Sequence, residues 1–398
     1  LLLFIYCVLF PKRTQSYWPL ALAIFLLANT SIYGVMIAIV LVLTLVCEIW
    51  LDQELRRTLA IKRVNIAISI LIAISGIVIS ILQIKPPADG LVVGHDLIKK
   101  IDWGLFKLSI VTISTSYLPI PNFLVDPCWN TNLLVKLLMT NSTGGHYDLL
   151  LVLFSLALFL FSIFLLARKT IALLLYFFGT VGMLLFINFV YYGEARHHGH
   201  LFIFLIVCLW LSVHCREMVI APIKYLTDYV ERGRSSFLLI ILSIQLAAGA
   251  LIFVLDLQRS FSTIEEAASF ISRQPDTLLA GSPNYRVCCL SGFLDKKIYY
   301  PESNSFATFI VWKNSYKRID DPQEVLNRVR QLSLQTNKEI TLVLNYQIYI
   351  SDGRSSVPLS RTWLDPEQRI SISALTNFTD TTVAEGENYY LYLIKHER

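Results

Sequence analysis

From Leu149 to Gly193 the chain carries no acidic residue, and Arg168-Lys169 is its sole charged pair. Such a stretch leaves few folds open. About 20 consecutive apolar residues cross a bilayer core as a helix, and the backbone there must bond within its own segment. The basic pair divides the stretch into two spans, Asp148–Ala167 and Thr170–Tyr192. Further apolar runs occupy Leu1–Phe10, Pro19–Asn29, Ser31–Trp50, Val64–Ile84, Leu201–His214 and Phe237–Leu255. Only 16% of residues are charged, against roughly a quarter in soluble domains. The pattern predicts an α-helical polytopic membrane bundle.

Charge sets the expected topology. Residues 1–255 hold 18 Lys and Arg against 12 Asp and Glu, and residues 256–398 hold 16 against 17. The basic excess lies with the helices, where cationic loops stay cytoplasmic. Pro11-Lys12-Arg13 and Leu51–Arg63 are both basic, so the chain between them goes in and returns, turning at Asn29-Thr30-Ser31. Val64–Ile84 then leads to an external loop over 85–147, whose short apolar pieces, such as Trp103–Val111, are expected to lie along the interface. Asp148–Ala167 returns inward, Thr170–Tyr192 goes out, and Glu194–His200 forms an external turn. Leu201–His214 returns, Cys215–Arg234 is cytoplasmic, and Phe237–Leu255 goes out for the last time. The chain opens inside an apolar run without Met, so further residues upstream of Leu1 are expected.

Residues 256–398 follow as an external soluble domain. Helices are expected at Thr263–Arg273 and Asp321–Ser333, the latter capped by Asp320 or Asp321 with Pro322 in its first turn. Strands are expected at Thr277–Ala280, Ile298–Tyr300, Phe306–Trp312, Ile340–Leu344 and Tyr389–Ile394. Helices alternating with apolar strands imply a small α/β layer domain. Its near-neutral charge excludes a basic nucleic-acid binder. The seven cysteines contain no CxxC pair, so neither a disulfide framework nor a zinc site follows. Nothing matches a catalytic triad, a P-loop or a dinucleotide fingerprint.

Chemistry concentrates at Glu194-Ala195-Arg196-His197-His198-Gly199-His200, between two apolar runs. Ionisable groups are expensive at such a place and mark function by default. Arg196 suits a phosphate, because its planar fork matches phosphate oxygens. His197, His198 and His200 can move a proton or bind anionic oxygen. Gly199 admits a close approach. The alternative is a loop whose Arg and His reach for lipid headgroups. His198 and His200 lack further ligands, so no metal is assigned. Asn29, Thr30 and Tyr33 at the helix break either line a cavity or bond back onto helix carbonyls. Weaker candidates are His95-Asp96, Asp102, Asp126 and His146 as acid–base groups, and Lys99 and Lys100 as contacts for lipid phosphates. Asn141-Ser142-Thr143 and Asn377-Phe378-Thr379 fit the glycosylation pattern. In the tail, Tyr299-Tyr300-Pro301-Glu302 and Ser291–Asp295 suit either a sugar-binding surface or a strand core.

Three features together resemble the GT-C class of integral-membrane glycosyltransferases, of the dolichyl-phosphate-mannose mannosyltransferase kind. Leu20–Val40, LALAIFLLANTSIYGVMIAIV, is similar to that class's short helix, polar break with Thr and Tyr-Gly, and second apolar helix. Glu194–Ser212, EARHHGHLFIFLIVCLWLS, looks like its external Arg opening a late helix, although His197 replaces the usual aromatic and the usual Pro is absent. A multi-helix core followed by an external domain is the third. The resemblance covers residues 1–255. It implies transfer of a sugar from a polyprenyl-phosphate donor on the extracytoplasmic side, with membrane lipids as surroundings and no organic cofactor. A divalent metal is left open. It also implies Arg196 near the donor phosphate and an acidic general base upstream of Leu1, while His197, His198 and His200 have no firm counterpart in that class. The competing reading is a non-enzymatic multi-pass protein, a transporter or a lipid-binding or assembly factor.

Overall fold

The computed structural model describes residues 1–85, 87–90, 102–139, 146–217, 224–312, 319, 321–351, 356–359, 362–365, 370–379, 382–383 and 386–396. The chain divides by its internal contacts into two units, the first ending at Ala250 and the second running from Leu251, with Leu124–Trp129 joined to the second. Six helices among the described residues are long and apolar enough to cross a membrane. They fit a multi-pass integral membrane protein.

The first unit is helical: α1 (Leu2–Leu9), α2 (Trp18–Ala28), α3 (Ile32–Leu51), α4 (Gln53–Ile61), α5 (Arg63–Ile84), α6 (Trp103–Tyr117), α7 (Leu133–Met139), α8 (His146–Leu166), α9 (Thr170–Phe189), α10 (Ala195–Ser212) and most of α11 (Lys224–Gln258). The turn expected at Asn29-Thr30-Ser31 separates α2 from α3. Pro19 sits in the first turn of α2, and the Ser31 hydroxyl caps α3 by accepting from the Gly34 N–H at 3.1 Å. Helix α2 packs tightly on α5, where a Cβ added at Gly76 would lie 2.6 Å from the Phe25 Cα. Small residues let membrane helices approach to that distance.

The two ends of this unit differ in charge. At one end the Arg13 guanidinium pairs with the Glu48 carboxylate, and Lys62 donates to the carbonyls of Thr14 and Gln15. Lys169 there donates to the Cys215 carbonyl at 3.1 Å. Thr44, Ala172 and Cys215 line one small cavity, so these basic turns share a level. At the opposite end Tyr33 stacks on His200 with ring centroids 4.8 Å apart, and Ser80 donates to the Ala28 carbonyl.

Two expectations are corrected. Trp103–Val111 does not lie along an interface. It begins α6, which packs against α8 and α10 with Ser109, Thr112, Ser114 and Ser116 buried. Each of these hydroxyls bonds a carbonyl three or four residues back, so the helix satisfies its own polar groups and needs no water. Glu194–His200 is not a turn, because α10 begins at Ala195 and takes the imidazoles into its first turns. The basic stretch after Leu51 forms the amphipathic α4, capped by Asp52 and anchored by Leu55 and Leu59 on Tyr17.

The second unit is a mixed sheet with helices on both faces. Strands β1 (Leu278–Ser282), β2 (Ile298–Tyr300), β3 (Ser305–Ala307), β4 (Ile340–Leu344), β7 (Thr362–Asp365), β8 (Ile370–Phe378) and β9 (Tyr389–His396) stand in the order β3-β2-β1-β4-β9-β8-β7. β2, β1 and β4 are parallel and the rest antiparallel. β5 (Tyr349–Ser351) and β6 (Ser356–Pro358) form a separate hairpin. Ile340, Leu342 and Ile394 pack under α15 (Pro322–Thr336), which Asp321 caps by accepting from the Gln323 N–H. Val343 and Leu391 face α12 (Ile264–Ser272) and the short α14 (Cys289–Leu294). Between β1 and α14 lies one further short helix, α13 (Asn284–Val287). The expected strand over Phe306–Trp312 is limited to Ser305–Ala307.

Candidate functional site

Helix α10 sorts the Glu194–His200 cluster by its 3.6-residue period. Ala195, His198, Gly199, Phe202 and Ile203 share one face and line a cavity of about 740 Å³. His197 and His200 lie on the opposite face, against α3, where Tyr33 stacks on both rings. Arg196 is exposed and does not line the cavity. The structure therefore separates the four residues expected to share one phosphate. One imidazole, His198, meets the cavity, beside Glu194 at the helix start.

The remaining walls come from distant segments of the same unit. Thr115 and Ser116 end α6, Pro119 and Asn122 follow it, and Asn130–Asn132 with Val135 and Lys136 form the loop and start of α7. Gln245 of α11 closes the inner side, with its amide donating to the Ser116 carbonyl at 2.7 Å. Asn130 sits in the left-handed region at φ 59°, a conformation that Asn tolerates better than most residues. Its side chain accepts from the Ala195 N–H at 3.1 Å and donates to the Glu194 carboxylate. Asn132 caps α7 by accepting from the Leu134 N–H and donates to the Leu118 carbonyl at 3.0 Å. These bonds fix the loop to the start of α10 and the end of α6.

His198 is held from one side. Its Nε2 donates to the Tyr192 carbonyl at 2.8 Å, because a carbonyl can only accept. The neutral ring then keeps its lone pair on Nδ1. Its partner ring, Tyr192, meets it edge-on at 5.1 Å. Burial, and next the Glu194 carboxylate, push the Tyr192 phenol above its usual value. His197 has the opposite duty: its Nδ1 accepts from the Glu194 N–H at 2.9 Å, closing the first turn of α10. His200 Nδ1 donates to the His197 carbonyl.

The helix-break residues bond back onto helices. Asn29 donates to the carbonyls of Phe25 and Gly76, and Thr30 to that of Leu27. Asn29, Thr30 and Tyr33 do not line this cavity. Asp102 caps α6, and Asp126 pairs with Arg259. His95-Asp96, Lys99, Lys100, Asp320, Asn141-Ser142-Thr143 and the side chain of His146 lie outside the described residues. Tyr299, Tyr300 and Glu302 are buried in the second unit, so they belong to its core and not to a sugar-binding surface. No three His, Cys, Asp or Glu side chains among the described residues converge as metal ligands.

The cavity thus joins an imidazole, an ammonium and a carboxylate to amides and hydroxyls, with Phe202, Ile203 and Val135 among its apolar lining. Such a lining can hold an anionic oxygen and several hydroxyl groups at once. Comparison with protein-family models, with curated proteins and with solved structures finds no match.

Proposed function

We propose that the chain is a membrane glycosyltransferase that takes a sugar from a polyprenyl-phosphate donor in the cavity beside His198. The observation that carries this reading is the cavity itself: about 740 Å³, lined by both polar and apolar side chains, at the bundle end away from Arg13, Lys62 and Lys169. Basic ends of membrane bundles stay in the cytoplasm, so in this reading the cavity opens on the extracytoplasmic side.

In this reading Lys136 holds the donor phosphate, and His198, which takes up a proton on Nδ1 as the anion binds, donates to it as negative charge grows. Fixed donors aimed at developing charge are worth most where water is sparse. The amides of Asn130 and Asn132 and the hydroxyls of Thr115 and Thr131 meet the sugar. The bond from the sugar's anomeric carbon to the phosphate oxygen breaks, and the bond to an acceptor hydroxyl forms. The acceptor proton goes to a carboxylate acting as general base. Arg196, outside the cavity, has no part in this arrangement.

Membranes holding the full protein are assayed for sugar release from a polyprenyl-phosphate sugar. Loss of one buried charge-assisted hydrogen bond costs ~1.5–3 kcal/mol, so His198→Ala is expected to lower turnover more than tenfold. Arg196→Ala is expected to change it less than about threefold, as exposed charges contribute little. Full activity of His198→Ala, or an equal loss in both variants, removes the assignment.

A further inference from the structure

A second hollow lies at the basic end of the bundle. Leu20, Ala21 and Ile24 of α2, Val42, Leu45, Val46 and their neighbours of α3, and Ile70, Ala73 and Ile74 of α5 enclose about 200 Å³. Its lining is apolar apart from Ser69 and Tyr17. Ser69 bonds its own helix, at the Asn65 carbonyl. The Tyr17 side chain is buried, and its hydroxyl has no partner among the described residues. Ile49, Ile66 and Ile70 also line an adjoining hollow of about 350 Å³, shared with Leu59 of α4 and with Arg63. The two make one groove, apolar along its length and cationic at its mouth.

We propose that this groove holds one acyl chain of an anionic phospholipid, with the phosphate beside Arg63. Helices α3 and α5, which supply most of both linings, are long and apolar enough to cross a membrane, so hydrocarbon is the medium that fills the hollows. The mouth opens where the chain carries Arg56, Arg57, Lys62 and Arg63 against Asp52 and Glu54. A cationic surface of this kind attracts anionic headgroups, about fivefold in affinity for each nearby Lys or Arg. The Arg63 guanidinium has five donors in a planar fork, which suits phosphate oxygens beyond any partner it already has. Amphipathic α4 turns Leu55 and Leu59 onto Tyr17, and a helix of that kind rests at the headgroup boundary, which in this proposal sets the mouth at phosphate depth. The cavity beside His198 is at the other end, and this site stands independently of the glycosyl-transfer reading.

The test uses the full chain in detergent, stripped of lipid and then titrated with phosphatidylglycerol or phosphatidylcholine, with bound lipid counted by native mass spectrometry. The wild type is expected to hold one phosphatidylglycerol with about fivefold preference over phosphatidylcholine. Arg63→Ala is expected to bring that preference close to one, and Arg63→Lys to keep most of it. Val46→Trp, at a groove-lining position that is 58% exposed, is expected to lower occupancy by both lipids while the thermal unfolding midpoint stays within a few degrees. Equal retention of the two lipids by the wild type, an unchanged preference in Arg63→Ala, or full occupancy in Val46→Trp overturns the proposal. Should Arg63→Ala fail to fold, Arg63→Gln with Val46→Trp decides it: an unchanged preference in the first or full occupancy in the second refutes the site.

Discussion

Gly199 offers a way to separate the cavity's role from its stability. The residue lies mid-face on α10 between His198 and Phe202, and a Cβ built there meets no atom within 4 Å. Glycine in a helix interior is ~1 kcal/mol less favourable than alanine, and leucine ranks close to alanine. Gly199→Leu is therefore expected to leave the fold as stable as before or raise its stability by up to ~1 kcal/mol. The added side chain then stands in the cavity beside the His198 ring. A ligand that fits the wild-type space must shift, and overpacking of that kind costs ~1–3 kcal/mol, or about 5- to 150-fold in affinity. Thermal unfolding of the detergent-purified protein measures the first quantity. Binding of a polyprenyl-phosphate sugar, followed by intrinsic fluorescence or calorimetry, measures the second. Gly199→Ala, much smaller, should show the stability gain with a lesser binding loss. A Gly199→Leu protein that binds and turns over donor like the wild type would show that the ligand sits elsewhere, and the reasoning from this cavity would fail.

Two further outcomes test the energetics. Glu48→Ala strands the Arg13 guanidinium, whose side chain is 11% exposed, and should destabilise the bundle by ~3–5 kcal/mol. In contrast, Glu324→Ala, at the more exposed pair with Arg328, should cost less than ~1 kcal/mol; similar losses in chemical denaturation would refute the difference in burial. Burial holds the Glu302 carboxyl above its usual value, although the Ser282 hydroxyl and the Asn284 N–H both donate to it. A raised folded-state value favours the protonated form, so this group's contribution is fully present below the ordinary carboxylate range and is lost as pH rises through the folded value. Unfolding of the wild type against pH should show that decline and Glu302→Gln should flatten it; parallel profiles would exclude Glu302 as the cause.

The membrane helices were legible because apolar length is a strong signal, and Arg168-Lys169 marked the α8–α9 turn. The Asn29–Ser31 break was legible too, since Ser31 is a good cap and Pro19 a good first-turn residue. α6 was hidden by its own composition. Seven Ser, Thr, Tyr and Lys residues between Lys107 and Tyr117 lower its hydropathy, while back-bonding removes most of the cost of burying its hydroxyls. In the second unit, Ile340–Leu344 was plain as a β-branched and apolar strand with Thr341 its one polar residue. β8 was missed because its Ser, Thr and Asn residues dilute the alternation, and its register is set by β9, which no local pattern encodes. At the cavity, His198 and Glu194 stood out as charges beside an apolar run, but helical phase then divided their neighbours. Lys136 and Asn130–Asn132 gave only the weak signal of a polar cap before an apolar helix. Gln245, a lone amide inside the apolar run Phe237–Leu255, was a readable sign that passed unused.

The Asn130 side chain grips Glu194 and the Ala195 backbone together, and that has a consequence for admission. The loop cannot swing outward without breaking both bonds at the first turn of α10. The hollow is therefore a mould cast before its guest arrives, and recognition there spends little on ordering the protein. Its selectivity should rest on fixed shape, with small misfits punished early and loosely matching guests turned away at the rim.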